Sequence, residues 1–225
     1  MKKIGLLVAV EMGAVLERYG APQETKKLFG FEVFRYDNES YSIFAVNSGA
    51  GEIAAAAATE LLIAACGVDL VVNFGVVGGL TPEMALARTV VVERVVHYDF
   101  DTSEVDWAEP GRYLEYPTPY LPATPELVEK ALAIAPELKK VTCASADKFV
   151  GRAEAKRELH EKWDAEICEM ESAGIVLTCG RAGVPCLLIK TVSDAIEGGA
   201  VEFSREVARA AGLCLGIADR IIREL

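Results

Sequence analysis

The chain has 225 residues, 52% apolar and 25% charged, a composition that supplies ample material for a globular core. Its 34 acidic residues outnumber 23 basic ones, giving a net charge of −11 with no Lys/Arg run. That excludes a phosphate-tracking nucleic-acid surface, and no segment has the length of a membrane span, since the alanine-rich stretch 53–66 is broken by Thr59 and Glu60.

Residues 1–10, M-K-K-I-G-L-L-V-A-V, have the basic start and apolar run of a secretory leader. The run is short and ends at Glu11 without a small-residue cleavage site, so it is read as a strand over 4–10 buried on both faces. A helix starts at Met12. Apolar runs at 32–36 and 41–46 flank Asp37-Asn38-Glu39-Ser40, a hairpin turn. Ser48-Gly49-Ala50-Gly51 opens an alanine-rich helix to about Ala65, and 69–75 and 89–96 are further strands. Residues 97–123 are acidic, aromatic and proline-rich, a long irregular segment expected to form an oligomer contact or a wall of a site.

Helical spacing over 124–135 is followed by a strand over 139–147 and a charged, exposed helix over 153–163. A short strand, 165–170, runs into a helix over 171–182. A strand over 184–194 ends in polar residues, and an amphipathic helix over 201–225 closes the chain. Strands alternating with helices predict a largely parallel α/β sheet covered on both faces. No linker or shift in composition interrupts residues 1–225, which are read as one domain. The six cysteines (Cys66, Cys143, Cys168, Cys179, Cys186, Cys214) lie in apolar segments, with no C-x-x-C pair and only two histidines. They read as reduced core thiols of a cytoplasmic protein without a metal site.

In such a sheet, ligands bind beyond the carboxyl ends of the strands. Standing there are Glu11, the segment Asn47–Gly51, Gly75-Val76-Val77-Gly78-Gly79, Asp147–Gly151, Glu169-Met170-Glu171 and Ser193-Asp194. Each has a plain alternative. Glycines at strand ends make turns, Glu171 favours a helix N-terminus, Glu11 and Ser193-Asp194 can act as helix caps, and Phe149 can belong to the core. Their shared place at one sheet edge favours a ligand. Acids with an aromatic and no basic cluster suit a neutral polyhydroxylated molecule with a heteroaromatic part. A carboxylate buried without a partner is costly, so Glu169 and Glu171 each need a paired charge or a polar ligand.

The segments I-G-L-L-V-A-V-E, S-G-A-G-E-I-A-A-A-A-A-T, N-F-G-V-V-G-G-L, D-K-F-V, E-M-E-S-A-G-I and V-S-D-A, in this order over essentially the whole chain, resemble the nucleoside phosphorylase/nucleosidase superfamily. Within it the chain is most similar to bacterial 5′-methylthioadenosine/S-adenosylhomocysteine nucleosidases. The resemblance implies a single three-layer α/β/α domain with a twisted, mixed, partly barrel-like sheet, in a homodimer. It also implies cleavage of the N-glycosidic bond of a purine nucleoside without metal or organic cofactor. Carried over by position, Asp194 protonates N7 of the base, with Ser193 orienting it. Glu171 binds the ribose hydroxyls and Met170 lies against the sugar. Phe149 stacks on the base, the backbone of Val150 bonds its edge, and Phe203 closes over it. Ala50, Val76, Val77 and Gly78 form the pocket wall, and Glu169 pairs with Lys190.

Two departures from the family pattern matter. The base that activates water falls on Gly13 in an ungapped alignment. With one residue deleted it falls on Glu11, which also keeps Met12, Val15 and Leu16 in helical register, and that alignment is preferred. The phosphorylases hold phosphate with arginines and a hydroxyl in the glycine segment. Here Val76 and Val77 stand there with no arginine near, and an anion desolvated against them would be unfavourable. Water is therefore the expected nucleophile. A phosphorylase, a non-catalytic nucleoside-binding homologue and an interaction module working through 97–123 are the alternatives.

Overall fold

The computed structural model describes residues 1–225. In chain order the elements are β1 (Lys2–Val8), α1 (Met12–Tyr19), β2 (Glu24–Leu28), β3 (Phe31–Asp37), β4 (Tyr41–Asn47), α2 (Glu52–Ala64), β5 (Leu70–Gly79) and β6 (Thr89–His97). There follow α3 (Ser103–Asp106), β7 (Tyr120–Pro122), α4 (Pro125–Ile134), β8 (Lys140–Ser145), α5 (Ala153–Trp163), β9 (Ile167–Glu169), α6 (Ser172–Ala182), β10 (Cys186–Asp194) and α7 (Gly199–Ile222).

β5 organises the sheet because it changes partners along its length. Leu70–Asn73 pairs in parallel with β1, Val71–Gly78 pairs in parallel with β10, and Gly78-Gly79 pairs antiparallel with β9. β10 is antiparallel to β6, β6 is parallel to β8, and β8 is parallel to β9. The sequence β5-β10-β6-β8-β9 thus returns to β5 as a closed five-stranded barrel. β1, β4, β3 and β2 leave it as an open wing. The sheet is mixed, with five parallel pairings and five antiparallel. The largely parallel sheet expected from alternation alone is corrected on this point. The short strands that close the ring have too little sequence for pairing direction to be read.

Ile4, Leu6, Leu7 and Val8 of β1 are wholly buried, as a strand covered on both faces requires. Packing of α2 on α6, and of α7 on β10 and β5, supplies the cover. β2 escaped the sequence reading because Glu-Thr-Lys-Lys-Leu shows no apolar alternation; it is a polar edge strand whose Lys26 and Lys27 guard a free sheet edge. The segment 97–123 is not wholly irregular, since it contains α3 and the short strand β7, which pairs with β6. α5 is also not an exposed helix throughout: Lys156 and Trp163 are buried, seven residues apart on its inner side. No helix is long and apolar enough to cross a membrane.

The carboxyl ends of β1, β4, β5, β8, β9 and β10 come level with one another. Val8 stands beside Asn47, Gly78 beside both Cys168 and Asp194, and Glu169 beside Ser145. At the end of β10 the register slips between Val192 and Asp194, a bulge that re-aims the last acid of the strand.

At the other face, α1 is tied to α7 through Asp219, which is buried and accepts from Arg18 (2.5 Å), Tyr19 (2.7 Å) and Arg223 (2.9 Å). Burial pushes this carboxyl up, but Arg18 and Tyr19 outweigh it and hold it below the usual range. Removing the acid strands Tyr19 and loosens α1, so Asp219→Ala is expected to lower unfolding free energy by about 2 kcal/mol in urea titration. An unchanged midpoint would mean that this cluster does not join the helices.

Candidate active site

A cavity of about 110 Å³ opens where these strand ends meet, lined by Glu11, Ala50, Val76, Val77, Gly78, Phe149, Glu169, Met170, Glu171, Ser193, Asp194 and Phe203, with Ala9, Val10 and Cys168. Of the residues to which the resemblance gave a role, only Val150 and Lys190 stand outside the lining; of the strand-end segments 47–51, 75–79 and 147–151, it holds Ala50, Val76, Val77, Gly78 and Phe149. The side chain of Val150 packs in a small apolar cluster with Leu80 and Trp163, so a role toward a base would fall to its backbone. Lys190 lies behind the wall, wholly buried, with Nζ 2.8 Å from Glu169 Oε2.

Glu169 is the most heavily bonded acid of the site. It accepts from Lys190, from Ser145 Oγ (2.6 Å), from Ser172 Oγ (2.8 Å) and from the Ser172 amide (3.0 Å). Burial pushes its carboxyl up, but the Lys190 ammonium and these hydroxyls bring it below the usual range. With its lone pairs engaged it is a structural anion. Glu171 is two residues on, at the N-cap of α6, and accepts only the Gly51 amide, at 3.0 Å. Burial and the charge of Glu169 push it up to about 7, against Lys190, which favours the anion. It therefore has lone pairs free for a ligand.

Glu11 is held from two sides: the amides of Val76 and Val10 donate to Oε1 and Oε2, each at 2.9 Å. Gly75 leaves space for this geometry, since a Cβ there would stand 3.0 Å from Glu11 Oε1 and crowd it. Asp194 is 1% exposed. Burial raises its carboxyl, opposed by the Lys156 ammonium and by Ser193, whose hydroxyl is 3.1 Å from Oδ1. Gly78 likewise leaves space: a Cβ would lie 3.1 Å from Cys168 Sγ and 3.3 Å from Asp194 Oδ2, crowding both. Phe149, nearly half exposed, and Phe203 of α7 meet edge to face at 5.6 Å across the mouth. A flat ring entering there would find two aromatic faces.

Sequence reasoning missed three polar residues. Lys156 is wholly buried with Nζ 2.6 Å from Asp194 Oδ2; its signal was its place on the inward stripe of α5 with Leu159 and Trp163. Glu52 begins an alanine-rich helix and was hidden by it. Its carboxylate receives the Gly174 amide and touches the Ser145 hydroxyl. Ser145 contacts both Glu52 and Glu169 yet has one proton to give. One of these contacts therefore needs a protonated carboxyl. Burial and the charge of Glu169 raise Glu52 to about 8, which makes Glu52 the neutral partner.

A carboxyl raised in the folded state contributes stability that is full below its unfolded value and is lost as pH rises through the folded one, here about 8. Each pH unit across that window removes at most about 1.4 kcal/mol. Glu52→Gln copies the neutral form, so its Tm is expected to match the parent near pH ~5 and to exceed it near pH ~9. Parallel Tm–pH curves would show Glu52 to be ionised throughout.

The sequence profile of the phosphorylase superfamily matches residues 3–223. The 5′-methylthioadenosine/S-adenosylhomocysteine nucleosidase of Tolumonas auensis is 27% identical over 199 residues, covering 85% of this chain and 86% of the relative. The aminodeoxyfutalosine nucleosidase of Helicobacter pylori is 28% identical, with both chains fully covered. Among solved structures, the H. pylori 5′-methylthioadenosine/S-adenosylhomocysteine nucleosidase, complexed with a pyrrolidine-based ligand carrying a pyrrolopyrimidine, superposes with a TM-score of 0.94 at 28% identity over 100% of this chain and 99% of that one. With nearly its whole length matched, the chain belongs to the phosphorylase superfamily.

Proposed function

We propose that the protein hydrolyses the N-glycosidic bond of a purine nucleoside, an adenine nucleoside with a 5′-thio substituent or a futalosine-type relative, and releases the free base. The observation that carries this reading is the cavity lining, which holds Glu11, Glu169, Glu171 and Asp194 and no Lys, Arg or His. The similarity to methylthioadenosine and aminodeoxyfutalosine nucleosidases points the same way.

Breaking the ribosidic bond builds positive charge on the sugar and negative charge on the departing purine. Asp194 gives a proton to N7, so that the base leaves neutral; an ordinary aspartic acid titrates near ~4, and burial supplies the upward push this task needs. Ser193 holds the carboxyl in place. Glu171 accepts hydrogen bonds from the 2′- and 3′-hydroxyls. These bonds strengthen as the hydroxyls become more acidic beside the growing cation, which stabilises the transition state more than the substrate. Met170 packs on the sugar, Phe149 and Phe203 enclose the base, and the Val150 backbone meets its edge. Glu11, fixed by its two amides, takes the proton of the attacking water.

Phosphate in place of water would meet four carboxylates and two valines in a lining without a cation, the two lysines behind it being engaged by Asp194 and Glu169. The six free cysteines support a reducing cytoplasmic setting. The exposed apolar side chains of Ile53, Val105, Trp107 and Leu114 support coverage by a second copy in a homodimer.

Incubation with methylthioadenosine, adenosine, inosine and futalosine, with and without phosphate, is expected to release base at the same rate in both buffers. Release only with phosphate would make the protein a phosphorylase, and tight binding without release a nucleoside-binding homologue. Asp194→Asn and Glu11→Gln are each expected to reduce kcat by about 100-fold or more with Tm little changed. Full activity in either variant would remove that residue from its role.

A further inference from the structure

The site contains a buried cation that the reaction outlined above does not use. Lys156 Nζ has three acceptors: Asp194 Oδ2 at 2.6 Å, the Ala195 carbonyl at 2.8 Å and the Asp194 carbonyl at 3.2 Å. Three acceptors match the three N–H bonds of an ammonium, and the side chain is 0% exposed. These contacts are those of an Asp194 carboxylate facing an ammonium, although protonation of the base requires a carboxylic acid.

The other groups around Asp194 do not resolve this. The Ser193 hydroxyl donates to it from β10. Cys168 on β9 approaches from across Gly78. On α7, Glu202 is a further negative charge and is already engaged by the Ala195 amide at 2.7 Å. None of these both carries an exchangeable proton and touches the carboxylate as closely as Lys156.

We propose that Lys156 is a positioning residue that stores the proton Asp194 delivers to the departing base. This rests on the assignment of Asp194 as the acid. As the C1′–N9 bond breaks, its electron pair moves into the purine. The proton passes from Lys156 Nζ to the carboxylate it touches, and a proton passes from that carboxyl group to N7. The base leaves neutral. Lys156 becomes an amine whose two remaining N–H bonds still reach the carbonyls of Asp194 and Ala195. Its lone pair then faces the Asp194 carboxylate, an arrangement that favours uptake of a proton. The proton removed from water at Glu11 goes to solvent, and a solvent proton taken up by Asp194 from the cavity passes back to Lys156, so one turnover leaves the charge unchanged.

Replacing the ammonium with an isosteric thioether leaves Asp194 to hold its own proton, which burial allows at acid pH only. Lys156→Met is therefore expected to lose about 100-fold in kcat/KM on methylthioadenosine near pH ~8.5, mostly in kcat, and to regain most of it near pH ~5.5. Against a riboside of p-nitrophenolate, which departs without a proton, the ratio of adenine release to nitrophenolate release is expected to fall about 100-fold at the alkaline pH. A melting curve accompanies each assay. Loss of activity by the same factor at every pH would reduce Lys156 to a structural element and overturn the proposal. So would a pH profile unchanged from the parent, provided Asp194→Asn is inactive. An active Asp194→Asn would instead overturn the assignment of the acid itself.

Discussion

Five carboxylates, Glu11, Glu52, Glu169, Glu171 and Asp194, are buried around one small cavity, with two buried lysines among them. Unpaired, each ionised group would be costly to withdraw from water, and mutual repulsion would add to the cost. The structure gives each acid a different solution. Glu169 is neutralised by Lys190 and saturated with hydrogen bonds. Glu52 is neutralised by its own proton. Glu11 is held by two backbone amides, Asp194 by Lys156, and Glu171 by a single amide that leaves it receptive. Groups of one chemical type are set apart by their surroundings, which is how a site assigns separate acid, base and binding roles to similar side chains.

The barrel makes this separation possible. β5 has to exchange β1 for β9 on one side while keeping β10 on the other for Gly78 to stand next to both Cys168 and Asp194. Space there is tight, because a Cβ on Gly78 would press on the thiol and on the carboxylate. The slip in register at the end of β10 turns Asp194 toward the cavity, and the α7 residue Glu202 holds the following loop through the Ala195 amide. The wing β1-β4-β3-β2 supplies Glu11 at the end of its first strand, opposite the acids of the barrel. Fold and chemistry are joined at these few strand ends.

Much of this was legible in the sequence, and the limits have physical causes. β1 and β10 were visible because strands buried on both faces are continuous apolar runs, and the residues after them marked the sheet edge. The family resemblance carried the mixed, partly closed sheet, which alternation of elements had misread as largely parallel. The closing strand β9 has three residues, too few for its pairing direction to show. Glu52 was concealed because an acid in the first turn of a helix already has an ordinary explanation in the helix dipole. Lys156 was concealed because a lysine in a helix as charged as 153–163 is expected to face water. Only its spacing from Leu159 and Trp163 marks it as inward-facing. Glu52 and Lys156 are both buried titratable groups whose partners are distant in sequence, Asp194 being 38 positions from Lys156.

Everything depends on one arrangement: the carboxyl of Asp194 at N7 of the departing purine, and that of Glu171 at the hydroxyls of its sugar. A crystal structure of the Asp194→Asn protein soaked with 5′-methylthioadenosine measures this directly. The account predicts N7 within hydrogen-bonding distance of residue 194, both ribose hydroxyls on Glu171, and an ordered water between Glu11 and the anomeric carbon. A nucleoside bound with its base away from residue 194, or its sugar away from Glu171, would contradict it.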